Sequence, residues 1–246
     1  MKTRDKIKKL RAGGTTIACC ALLFIILFLA FAGAFPTGPD AINITSNTTG
    51  QSGSGMMVNI SGGYIAKMNI TATSQNNRWK AMIGEIDGKF TLDDATGSTI
   101  YDWTSTVVNG EVYATRQSGA ITWSSVECAN ITHINQEDLE MSLTGEDNIS
   151  QTFNDTNDET FQIGTSITIG VTDCFSTNTY VGNESQDAAF EEVVLYDSTS
   201  IIFATILETN EEGYDGGNYD FQMIVPENAT TGSAQIPYYL YLEIGS

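Results

Sequence analysis

Histidine is almost missing: His133 is the single one among 246 residues. A zinc cage of histidines and an HExxH helix are therefore excluded. Basic residues are as unevenly spread, because no Lys or Arg occurs between Gln117 and Ser246. That half can form no side-chain ion pair of its own except through His133, and its acidity excludes a phosphate-binding surface, so no nucleic-acid partner is expected. There is no GxSxG elbow, no P-loop, no GxGxxG and no CxxC. Adjacent carboxylates do occur, as Glu191 with Glu192 and Asp93 with Asp94. Neighbouring strand residues face opposite ways, so neither pair suits the two-carboxylate chemistry of a glycosidase. The chain lacks the parts of an enzyme, and neither a catalytic residue nor a required cofactor is expected.

What is present is polarised along the chain. Lys2, Arg4, Lys6, Lys8, Lys9 and Arg11 precede an apolar run and, against Asp5, leave +5 there. After the run five basic residues face 29 acidic ones, leaving −24. This is the positive-inside pattern: residues 1–14 read as a cytoplasmic tip and the acidic remainder as exported. Between them residues 15–35 carry no charge, and at about 1.5 Å per residue they reach roughly 31 Å, a bilayer core. Three fates stay open. A retained single-pass signal anchor leaves Met1 as the N-terminus. Cleavage after Ala32-Gly33-Ala34 gives a secreted protein beginning at Phe35. A leader cut near Gly14 makes the run a filament core, although Pro36 ends that helix early.

Residues 36–62 are rich in Gly, Ser, Thr and Asn, and read as a flexible stalk. Asn-x-Ser/Thr sequons stand at Asn43, Asn47, Asn59, Asn69, Asn130, Asn148, Asn154, Asn183 and Asn228. Beside the export signal they suggest a glycosylated surface. Cys19 and Cys20 lie on the cytoplasmic side of the run. Cys128 and Cys174 are the only pair in the exported part, and a disulfide between them is the simplest reading.

Residues 63–246 read as an acidic extracellular domain with a period of two. Tyr64, Ala66, Met68, Ile70 and Ala72 alternate with polar residues, as do Phe161, Ile163, Ile167, Ile169 and Val171. Asp87-Gly88 and Asn109-Gly110 have the chemistry of hairpin turns. Ile201 to Leu207 is apolar on both faces, as in a covered central strand. Only residues 134–143 suggest a helix, with Asn135 as its cap. The expected fold is an all-β antiparallel sandwich, or else a barrel, behind one transmembrane helix.

Two loops carry hard oxygen donors of the kind Ca2+ takes: Asp155, Asn157, Asp158 and Glu159, and Glu211, Glu212, Asp215, Asn218 and Asp220. Neither has EF-hand spacing. Trp79, Trp103 and Trp123 offer a sugar-stacking platform, with packing in the sheets as the plainer reading.

The segments "WKAMIGEIDGKFTLDDATGSTIYDW", "FEEVVLYD" and "YDFQMIVPE" are similar to an uncharacterised group of archaeal cell-surface proteins. The "RAGG" before the apolar run partly resembles the leader of archaeal type IV pilins. The first resemblance implies an envelope location and brings no catalytic residues. The reading is a non-enzymatic surface protein acting through structure or adhesion. Its expected partners are the membrane through residues 15–35, other envelope or filament proteins, and further copies of itself. A pilin-like or secreted filament subunit is the alternative, and a carbohydrate-binding protein the minor one. High salt, low pH and bound Ca2+ each account for the acidic excess.

Overall fold

A computed structural model describes residues 35–51, 53–104, 109–182, 184–227 and 235–245. Apart from Phe35, the uncharged run lies outside the described residues. Among the described residues no helix is long and apolar enough to cross a membrane.

The folded part is mostly β and its sheets are antiparallel. Its centre is a sheet of β4 (Gly110–Thr115), β5 (Glu127–Cys128), β6 (Asp155–Thr156), β9 (Phe175–Val181), β10 (Ser185–Tyr196), β11 (Ile201–Ile206) and β15 (Tyr239–Ile244). The order is β15-β4-β11-β10-β9-β6, and β5 continues the line of β9 along β10. β11 lies between β4 and β10 with both faces buried, as its doubly apolar sequence requires. The sheet ends at β15 on one side and β6 on the other, so the barrel alternative does not form.

Alternation divides the central strands between two cores. On one face Val112, Ala114, Val194 and Phe203 meet Met223 and Val225 of β14 (Phe221–Pro226). β14 pairs with β1 (Trp79–Gly84), and α1 (Ile131–Glu140) and α2 (Ile149–Thr152) add Ile134 and Ile149 to the same core. On the other face Tyr113, Val193, Leu195 and Ile202 meet Trp123 and the hairpin of β7 (Phe161–Ile163) and β8 (Ile167–Ile169). The central sheet is thus covered on both sides.

Several local expectations are corrected. Residues 64–73 alternate like a strand, yet form none and stay exposed. A strand needs a neighbour for its N–H and C=O groups, and among the described residues this segment pairs with no strand. The first strand is therefore β1. The expected stalk also begins differently, because Pro36 is buried and Thr37 exchanges two backbone hydrogen bonds with Leu242 of β15, at 3.0 and 2.8 Å. Apart from residue 52, the chain is then exposed from Asp40 to Asn77.

Asp87-Gly88 and Asn109-Gly110 do not join neighbouring strands. β1 pairs with the distant β14, and β2 (Lys89–Asp93) pairs with β3 (Thr99–Thr104) across a turn held by Asp94. Phe161 to Val171 is a hairpin rather than one strand, turning at Gly164, whose φ of 60° suits glycine. The remaining strands, β12 (Glu211–Glu212) and β13 (Asn218–Tyr219), pair with each other.

Candidate functional site

Cys128 ends β5 and Cys174 immediately precedes β9, so both flank β10 on the same side. Their Cα atoms lie 4.9 Å apart and the two form a disulfide. The expected pair is the pair that forms.

The loop that offered Ca2+ ligands sits beside this disulfide, and Asn157, one of the four, is turned inward to hydrogen-bond the backbone. Asn157 is fully buried and its Oδ1 accepts from the Cys174 N–H. Its Nδ2 donates to the carbonyls of Glu159 and Gly170. Asp155 and Glu159 remain exposed, and Asp155 accepts from the Thr156 N–H. The N–H of Asp158 donates to the Glu191 carboxylate. Asn157 is thus a buried clamp that fixes the turn leading into β9. In the second loop, Asp220 accepts from the N–H groups of Ile86 and Asn210, and Asp215 from Gly217 N–H and the Tyr219 hydroxyl. Glu211 and Glu212 in β12 are exposed, and Asn218 donates to the Asn210 carbonyl. Among the described residues no three His, Cys, Asp or Glu side chains gather as a metal site.

The sequons divide by environment. Asn43, Asn47, Asn59 and Asn69 stand exposed in the extended stretch, and Asn154 is exposed after α2. Asn183 and Asn228 lie outside the described residues. Asn130 and Asn148 have a structural use that the sequence reading missed, since each caps a helix. Asn130 Oδ1 accepts from the N–H groups of Thr132 and His133, and the His133 ring accepts from the Asn130 N–H. α1 accordingly starts at Ile131, ahead of the expected residue 134. The signal is an Asn immediately before the apolar Ile131, in the same residue that opens the sequon. Asn148 Oδ1 accepts from Gln151 N–H. Removing a cap of this kind costs about 1 kcal/mol. Asn130→Ala is expected to lower unfolding stability by about that much in urea titration, while Asn59→Gln and Asn69→Gln leave it unchanged.

The three tryptophans are not brought together. Trp79 in β1 packs in the first core, with its indole N–H donating to the Asp147 carbonyl at 2.7 Å. Trp123 lies in the second core, edge-on to Tyr113 and Tyr241. Trp103 is on β3, half-exposed beside Tyr101, opposite Phe90 and Leu92 of β2. These four make an apolar face on a two-stranded hairpin, following the alternation of "FTL" and "YDW".

His133 stacks on Tyr196 with ring centroids 3.8 Å apart, at a shallow cleft beside α1. Arg116 lies there too, donating to Glu137 at 2.7 and 2.8 Å and to Glu140 at 3.1 Å. The hydrogen bonds it donates to Glu137 raise the Arg116 pKa above its usual range. The guanidinium is compensated from within the chain, so the cleft presents little net charge to a ligand.

The most unusual chemistry is on the second face of the central sheet. Tyr113 is fully buried, and its hydroxyl lies 3.3 Å from both Glu111 and Glu243, which are cross-strand neighbours on β4 and β15. Gly164 N–H also donates to Glu243. Burial, and then the nearby Glu243 carboxylate, push Glu111 up to about 8. On the opposite face Glu192 is fully buried and raised by desolvation, with one oxygen accepting from Ile224 N–H and the other unpartnered. No family model, curated protein or solved structure matches this chain.

Proposed function

We propose that the protein is a non-enzymatic structural or interaction protein of the cell surface. It is exported through residues 15–35, held there as a single-pass anchor, and displays a glycosylated β-sandwich outside the membrane. The Cys128–Cys174 disulfide carries the reading, since such bonds persist in oxidising compartments. The charge asymmetry supports the direction of export, and the exposed sequons at Asn43, Asn47, Asn59 and Asn69 support glycosylation. β14 and β1, laid against the central sheet, support the sandwich description. The resemblance to archaeal surface proteins gives the same location.

The docking of Thr37 on β15 bears on where the domain stands. Because Thr37, two residues beyond the uncharged run, is hydrogen-bonded to β15, the reading puts the anchor next to the folded domain rather than behind a stalk, with the exposed loop that begins at Asp40 following it. One specific observation favours the filament alternative as well, namely the exposed alternating segment within that loop.

Sequencing the mature N-terminus and treating intact cells with protease test the proposal together. Met1 with digestion of the domain in intact cells is the expected result. Phe35 in the medium would replace the anchor by secretion, and a start at Gly14 or Thr15 by a pilin-like leader. A domain protected from protease in intact cells and digested only after lysis would overturn surface display.

A further inference from the structure

We propose that the segment Tyr64–Thr73 of one copy adds as a strand to the outer edge of β15 in a second copy. The inference deepens the surface-protein reading by naming its partner as the chain itself.

The donor is a strand without a sheet. Tyr64 is 77% exposed and Ile70 86%, on the same alternating face as Met68. An extended chain rich in β-branched and aromatic residues meets the side-chain requirement for a strand, and lacks only a neighbour for its backbone. Ten residues at about 3.3 Å each span about 33 Å, more than the length of β15. The sequon Asn69 has the opposite parity, so a glycan there would not lie between the apolar side chains and a sheet.

The acceptor is the edge of the central sheet. Leu242 turns its N–H and C=O outward, to Thr37. By the two-residue period Leu240 and Ile244 aim theirs the same way, and among the described residues neither has a backbone partner on that side. Thr37 shows that this edge accepts an extended segment, and a longer ladder takes the place of its bridge at Leu242. β15 is also only half-buried where its neighbour β4 is buried, as expected for a strand that lacks its own neighbour.

Charge and face select the orientation. From Ala41 to Asn77 the only charged residue is Lys67, while the domain is strongly acidic. Two acidic domains repel, but a nearly neutral segment with one cation can approach. A register that places Met68 and Ile70 beside Leu240 and Leu242 sets Lys67 on the face that carries Glu243. Each copy has one donor segment and one β15 edge, so the contact is heterologous and either closes, as a reciprocal pair or a larger ring, or runs on as a filament. β-Strand addition of this kind takes its affinity from main-chain hydrogen bonds and its specificity from alternate side chains.

The test measures the mass of the full-length chain in detergent by light scattering across micromolar concentrations. Wild type is expected to grow with concentration. Met68→Asp with Ile70→Asp, both in an exposed segment, is expected to remain monomeric while keeping its unfolding midpoint. Leu240→Pro removes an outward N–H from the acceptor and is likewise expected to be monomeric. Mixing the two variants should restore a one-to-one pair and nothing larger, since one retains its edge and the other its donor. A wild type that is monomeric throughout overturns the proposal. So does assembly of the Asp variant at wild-type strength, which decides the matter even if Leu240→Pro does not fold. Surface exposure with monomeric protein would defeat this inference alone, whereas assembly without export would defeat the surface reading alone.

Discussion

Glu111→Gln is expected to stabilise the domain at pH 8 by on the order of 3 kcal/mol and to change it little at pH 4.5. The cause is the position of Glu111 on β4, buried beside Tyr113 and facing Glu243 across the strand pair. Burial and the second carboxylate raise it from 4.5 to about 8 in the folded protein. The folded state therefore holds a proton that the unfolded chain releases above pH 4.5. Stability is full below that value and falls as pH rises towards 8, where the folded group also ionises. A shift of this size corresponds to about 5 kcal/mol at full effect, reduced where the site relaxes. Gln keeps the shape of the protonated acid and can still donate to the Tyr113 oxygen while Tyr113 donates to Glu243. Urea titrations from pH 4.5 to 9 should show a downward slope in wild type and a flatter one in the variant. Parallel slopes would dismiss the idea.

The same sign holds at other carboxylates. Glu208 is pushed up to about 7 by burial and then by Glu159 and Glu211, and Glu191, Glu192, Glu243 and Asp138 are all raised with desolvation as the leading cause. With no Lys or Arg after Arg116, these groups find no cation in their own half of the chain, and protonation is the neutralisation left to them. This separates two explanations that composition left together. Exposed carboxylates respond to salt by screening, but Glu111 and Glu192 are buried and screened far less. Molar NaCl at pH 8 is therefore expected to leave most of the pH-dependent loss in place.

The alternating pattern announced the strands, and the doubly apolar run at Ile201 announced the covered centre of the sheet. Pairing was not legible, because a dipeptide such as Asp87-Gly88 permits a tight turn without choosing a partner. β1 buries Trp79 and Met82 by crossing to β14, more than a hundred residues away. Asn130 and Asn157 failed as sequence signals for another reason. Each belongs to a residue type with several uses, and only burial and neighbours distinguish a cap or a clamp from a glycan site or a ligand. The segment from Tyr64 was legible as a strand pattern, and among the described residues no strand pairs with it, because alternation sets a face and not a neighbour.

Removing the disulfide is the second large effect. Cys128 and Cys174 are 46 residues apart in sequence, and closing a loop of that length in the unfolded chain contributes about 4 kcal/mol. The position makes the number consequential. The closed loop holds α1 and α2, which cover one face of the central sheet, together with the β7–β8 hairpin, which covers the other. Both ends are fastened along β10, one through β5 and the other through the start of β9. Without the bond the unfolded chain regains the freedom of that whole segment, and both layers of cover depend on packing alone. Cys128→Ser with Cys174→Ser is thus expected to lose about 4 kcal/mol in urea titration, and reduced wild type should fall to the same midpoint. Native wild type treated with an alkylating reagent without reductant should gain no mass at Cys128 or Cys174, since both sulfurs are bonded. Asn157→Ala separates the clamp from the bond, because it frees the buried Cys174 N–H while the disulfide stays closed, and it should lose a smaller amount, about 1–3 kcal/mol. An unchanged midpoint in the double serine variant would mean that the covering layers hold without the cross-link, and that the loop-entropy argument does not apply to this fold.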